Sequence, residues 1–120
     1  MQEDKSKHLP DSWFKTSING DEWTIYLAED EDDVIADDGS AAETDFASRE
    51  IYVRKSDLDL NVVRHELWHA FAGYTYLEDT DISVANCEEV AACLFADRGS
   101  LIINKADECY KRLCELRDNG

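Results

Sequence analysis

Between Leu60 and Tyr74 the residues Leu60, Val63, Leu67, Ala70, Phe71 and Tyr74 recur at three- and four-residue spacing. That period describes a helix with one apolar stripe, and the rest of the chain must supply a surface to cover it. Ser56-Asp57-Leu58-Asp59 offers N-cap candidates, with acids suited to a helix start, and Gly73 is placed to close the helix. The same segment reads His65-Glu66-Leu67-Trp68-His69. At about 100° per residue the two histidines project from one face, about 200° away from Leu67. A histidine serving the core would lie in the stripe, and these two do not.

The remaining elements follow from shorter signals. Asn19-Gly20 marks a turn, followed by a strand over about Trp23 to Ala28. Residues 29–45 are rich in acids without periodicity and read as a loop. Around Ile51 the residues alternate, with Ile51 and Val53 on one face and Glu50, Tyr52 and Arg54 on the other, which predicts a half-buried strand. A second helix is expected from Ser83 to Arg98. Gly99-Ser100 would then act as stop and new N-cap before a third helix over Leu101 to Leu116, with Ile102, Ala106, Cys109, Tyr110 and Leu113 on its apolar face. With residues 1–12 as a polar leader, the expectation is one α+β domain over residues 1–120: a small N-terminal antiparallel sheet followed by three helices. Trp13, Trp23 and Trp68 are expected in the core.

Composition excludes several function classes. There are 28 acidic and 12 basic residues, a formal charge of -16, so binding to nucleic acid or to an anionic membrane, both of which need basic surface, is not expected. No stretch approaches the ~18 apolar residues of a membrane span, and the first residues hold no signal-peptide core. The four cysteines, Cys87, Cys93, Cys109 and Cys114, form no C-x-x-C pair. They read as reduced thiols of a cytoplasmic protein.

Two histidines one helical turn apart, with a glutamate between them, are a donor set for zinc. A catalytic zinc takes three protein ligands and leaves a position for water, whose pKa it lowers toward ~7. Glu66 cannot ligate alongside both histidines but is placed to act as general base. A third ligand is then needed. His8 lies far upstream, and the metzincin pattern fails because Ala72 and Thr75 stand where it needs glycine and histidine. A carboxylate from a later helix remains, and Glu88 and Glu89 are both available on otherwise apolar sequence where a cation would compensate their burial.

In having HELWH, a short interval and then a glutamate helix ending in Phe95-Ala96, the chain resembles the gluzincins. The closer likeness is to their single-domain members, the minigluzincins and the small metallopeptidases of phages and mobile elements. It covers roughly residues 20–98, and HExxH is its specific part. The resemblance implies a minimal zincin-like fold and a zinc-dependent peptidase with His65, His69 and Glu89 as ligands, since the family's glutamate lies six residues before the Phe of that Phe-Ala. The helical wheel keeps Glu88 as an alternative, because it lies nearer the bulky stripe of Val84, Ala91 and Phe95. Glu89 instead shares a small-residue face with Ala85, Ala92 and Ala96. Where the family often has Asp or Asn four residues after the ligand, this chain has Cys93.

The resemblance also implies a peptide or protein substrate lying along an edge strand, here Ile51, Tyr52 and Val53. A Tyr or His usually stabilises the oxyanion, with Tyr74 and Tyr76 as candidates. The acidic charge favours a basic substrate. The alternative function is a catalytically weak zinc-binding regulatory or inhibitory protein, which would use the same charge to hold a basic partner.

Overall fold

The computed structural model describes residues 9–29, 40–77 and 84–119. Strands β1 (Ser12–Ile18) and β2 (Asp21–Ala28) form an antiparallel hairpin. Ile18 pairs with Asp21, so the connection is the two residues Asn19 and Gly20, both at positive φ (54° and 86°). A two-residue turn of that kind suits Asn-Gly, because it matches the right-handed twist of the strands it joins. β1 begins at Ser12, within the expected polar leader.

A second hairpin joins β3 (Ala42–Asp45) to β4 (Glu50–Arg54), again antiparallel. Its turn is built on Asp45, whose Oδ1 accepts from the backbone N–H groups of Ala47 (3.0 Å) and Ser48 (3.3 Å). β4 then pairs with β2 in parallel, with Ile25 opposite Ile51 and Leu27 opposite Val53. The sheet is therefore mixed, in the order β1-β2-β4-β3. This corrects the expected antiparallel sheet. β4 is also not an edge strand, because it is hydrogen-bonded on both sides. The parallel pairing needs a crossover between β2 and β4, which residues 29–49 provide, and β3 forms within a segment expected to be all loop.

A single 3-10 turn (Lys55–Asp57) leads into helix α1 (Leu60–Leu77). Asp59 caps it, with Oδ2 accepting from the Asn61 N–H at 3.1 Å and its carbonyl from Val63 at 3.1 Å. The helix continues past Gly73, its expected stop. Helix α2 (Val84–Asn119) runs 36 residues without the predicted break at Gly99-Ser100, so two helices stand where three were expected. A mid-helix glycine costs only about 1 kcal/mol relative to alanine, and a long run of surrounding helix outweighs it. The Phe95 ring packs over Gly99, with Cδ1 3.2 Å from where a Cβ would be.

The core lies between one face of the sheet and the two helices. Phe14, Ile18, Trp23, Ile25, Leu27, Ile51 and Val53 from the sheet meet Val63, Leu67, Ala70 and Phe71 of α1 and Ile102, Ala106, Cys109 and Leu113 of α2. Of the three tryptophans only Trp23 is buried; Trp68 is half-buried against the core, and Trp13 is 48% exposed. On the opposite sheet face Tyr26 and Tyr52 stack at 5.0 Å, and both hydroxyls donate to Glu50. Burial first, and then Glu50 through its charge and its hydrogen bonds, raises the pKa of both tyrosines. Among the described residues no helix is long and apolar enough to cross a membrane, and Cys93, Cys109 and Cys114 are free thiols.

Candidate metal centre

Helix α1 buries Val63, Leu67, Ala70 and Phe71, and this fixes which way its other side turns. Leu67 is 1% exposed, so His65, set off from it around the helix, faces solvent, and His69 is half-buried one turn on. Their rings meet at 4.7 Å between centroids, nearly perpendicular (76°). The two Nε2 atoms lie 3.1 Å apart, within hydrogen-bonding distance, with donor and acceptor set by the tautomers. Two nitrogens bound to one tetrahedral zinc at ~2.0–2.1 Å would be separated by about 3.3 Å. The observed pair is therefore within a few tenths of an ångström of a two-histidine bite, on the nitrogens a metal would use. The half-buried Trp68 ring lies edge-on to His69 (5.8 Å) and helps hold it.

Glu66 is the one buried acid in this group, 7% exposed. Its Oε1 accepts the hydroxyl proton of Thr44 at 2.5 Å, a short bond of the charge-assisted kind. Thr44 comes from β3, and its hydroxyl also lies 3.4 Å from the Glu66 carbonyl oxygen. A carboxylate presents about four acceptor sites, and among the described residues Thr44 is its only side-chain donor. A buried carboxylate with so few donors is costly unless a cation or a polar ligand stands beside it. His65 and His69 are the residues that could hold such a cation.

A cavity of about 370 Å³ opens at this point, lined by Ser40, Ala41 and Ala42 ahead of and within β3 and by Asn61, Val62, His65 and Glu66 of α1. Arg54 fixes the strand side, donating from its backbone N–H to the Ala41 carbonyl (2.9 Å) and from Nε to the Ser40 carbonyl (2.8 Å). The cavity lies between the first turns of α1 and the edge strand of the sheet. It sets His65 and Glu66 of the helix against the edge of the sheet.

The structure brings together His65, Glu66 and His69. It does not bring Ile51, Tyr52 and Val53 to this cavity, since they are 1%, 6% and 1% exposed in the middle of the sheet. β3 is the strand that borders the cavity. Glu88 and Glu89 fall in the second turn of α2, but their side chains lie outside the described residues, as do those of Tyr74 and Tyr76 at the end of α1. His8 and the acidic stretches at 30–38 and 78–81 are likewise outside them. On the same helix Ala92 and Ala96 of the small-residue face, and Phe95 of the bulky stripe, are exposed. Among the described residues there is no cluster of three metal-ligating side chains.

No sequence pattern singles out Thr44. It is the β-branched residue between Glu43 and Asp45 in a stretch without periodicity, and only the pairing of β3 with β4 brings it beside the helix. A second cavity, of about 360 Å³, involves none of the predicted site residues and is lined by Ser17, Asn19, Phe71, Arg98, Leu101 and Lys105. Comparison with protein-family models, curated proteins and solved structures finds no match.

Proposed function

We propose that this protein is a zinc-dependent peptidase in which His65 and His69 hold the metal and Glu66 is the general base. The observation that carries the reading is the 3.1 Å convergence of the two Nε2 atoms beside a buried carboxylate and an open cavity. When bound, zinc supplies Lewis acidity, polarising a carbonyl oxygen and making water a stronger acid. The chain's own residues do the rest. Glu66 accepts the proton of the attacking water and can deliver it to the leaving amine. Its burial keeps the carboxylate away from competing bulk water, and Thr44 holds one of its oxygens.

The peptide is placed along β3 rather than β4. β3 is the sheet edge beside the cavity, and an extended chain can add to such an edge through main-chain hydrogen bonds while its side chains alternate into and out of the cleft. The third ligand is Glu89, with Glu88 as the neighbouring alternative, both carried by α2.

Metal analysis of the purified protein and of His65→Ala, His69→Ala, Glu88→Gln and Glu89→Gln variants tests the centre. One zinc per chain in the wild type, and its loss in both histidine variants and the Glu89 variant, is the expected result. Loss in the Glu88 variant alone moves the third ligand back one residue. A wild type that takes up no zinc when zinc is supplied overturns the proposal.

A further inference from the structure

We infer that Thr44 is a positioning residue for Glu66, tying the edge strand to the general base so that a peptide held by the one is registered against the other. The inference rests on the peptidase reading above. Three observations carry it. The Thr44 Oγ1 to Glu66 Oε1 distance is 2.5 Å, at the short end of hydroxyl–carboxylate bonds. The two residues are 22 positions apart and belong to different layers, so the bond joins the sheet edge to the helix. Thr44 is itself fixed by pairing with Ile51, which is 1% exposed in the central strand β4.

The chemistry follows from which atoms are engaged. A glutamate has three side-chain torsions, and a base that wanders among rotamers is rarely aligned with the water it must deprotonate. Binding Oε1 to a hydroxyl on a rigid strand removes that freedom and leaves Oε2 as the oxygen available to take the proton. In this role the Thr44 hydroxyl acts on Glu66, not on substrate or metal. Because β3 is also the strand on which the peptide is placed, the distance between the scissile bond and Glu66 is set by one short piece of backbone.

Thr44→Val removes the hydroxyl at nearly constant shape, and Thr44→Ser keeps it. Two readouts separate this inference from the peptidase reading. The first needs no activity: in proton NMR of the metal-free protein, the Thr44 hydroxyl should give a slowly exchanging resonance, present in wild type and in Thr44→Ser and lost in Thr44→Val. Its absence from the wild type overturns the inference whatever the enzyme does. The second uses zinc-loaded protein and the best-cleaved member of a quenched-fluorescent peptide library. Thr44→Val should lose about 10- to 100-fold in kcat with KM nearly unchanged and zinc content intact, and Thr44→Ser should recover most of it. A Thr44→Val variant with wild-type kcat, or a Thr44→Ser variant as impaired as the valine, overturns the positioning role. A wild type that shows the hydroxyl resonance and binds zinc but cleaves no peptide removes the peptidase reading, and the positioning role with it.

Discussion

His69 Nε2 lies 3.1 Å from His65 Nε2, one helical turn along the same face of α1. The arrangement costs the fold little, since His65 is exposed and His69 only half-buried.

The metal and the fold should therefore separate cleanly in mutants. His65→Ala in the metal-free protein should change stability by no more than about 0.5 kcal/mol, as for surface substitutions generally. The same variant should lose the rise in melting temperature that zinc gives the wild type, because a ligand stabilises only the state that binds it. Thermal melts with and without zinc check both statements. A large destabilisation without metal would make His65 a packing residue.

Gly99→Ala distinguishes a continuous α2 from two helices. In a broken helix Gly99 would sit at a stop, where alanine is disfavoured. In the continuous helix alanine should stabilise by up to about 1 kcal/mol. The Phe95 ring, whose Cδ1 would be 3.2 Å from the new Cβ, is 70% exposed and can swing aside. Chemical denaturation of the pair reads the sign directly.

Stability should fall on the alkaline side. Burial pushes the Cys109 thiol up from 9.0 to about 12, and burial with the Glu50 charge raises Tyr26 and Tyr52 above their ordinary 10.0. These groups are neutral when protonated, so the unfolded chain gives up its protons first as pH rises. Their contribution is whole below about pH 9 and is lost progressively from there through the folded-state values. Melting temperature should be flat in this respect from pH 7 to 8.5 and decline above pH 9, with a shallower decline in Tyr52→Phe.

Thiol chemistry follows the same burial. Cys93 is exposed and Cys109 is 0% exposed, so a thiol-specific reagent near pH 8 should label Cys93 in the native protein and reach Cys109 only after unfolding. Peptide mapping after timed labelling checks the order. Early labelling of Cys109 would contradict its place in the core.

How far the sequence could be read depended on the range of the interactions involved. Turns and periods are local, and Asn19-Gly20, the alternation at Ile51 and Val53 and the part of the Leu60 to Tyr74 stripe that reaches Phe71 all reported the structure near them. The approach of His65 to His69 was legible for the same reason, both being residues of one helix. Strand order is not local. Nothing in Glu50–Arg54 distinguishes a central strand from an edge strand until β3 is known to cover its second side, so the peptide edge was assigned one strand too far in. Gly99 misled because a glycine stop signal was weighed without the helix on either side of it. Thr44 could not be found by pattern at all, since its partner Glu66 is 22 residues away.

The claim of zinc-dependent peptide hydrolysis by Glu66 is tested most directly by incubating zinc-loaded protein and its Glu66→Gln variant with a proteome-derived peptide library and reading new termini by mass spectrometry. The carboxamide keeps the size of Glu66 and removes its basicity, so the variant should keep zinc and its fold yet produce no new termini. The wild type should cut, with sites enriched near Lys and Arg because a chain of formal charge -16 concentrates basic peptides around itself. That enrichment should weaken as salt approaches ~1 M, where the screening length is ~3 Å. Cleavage without basic enrichment would remove the electrostatic part alone. Equal cleavage by wild type and Glu66→Gln, or none by zinc-loaded wild type, would contradict the proposed chemistry.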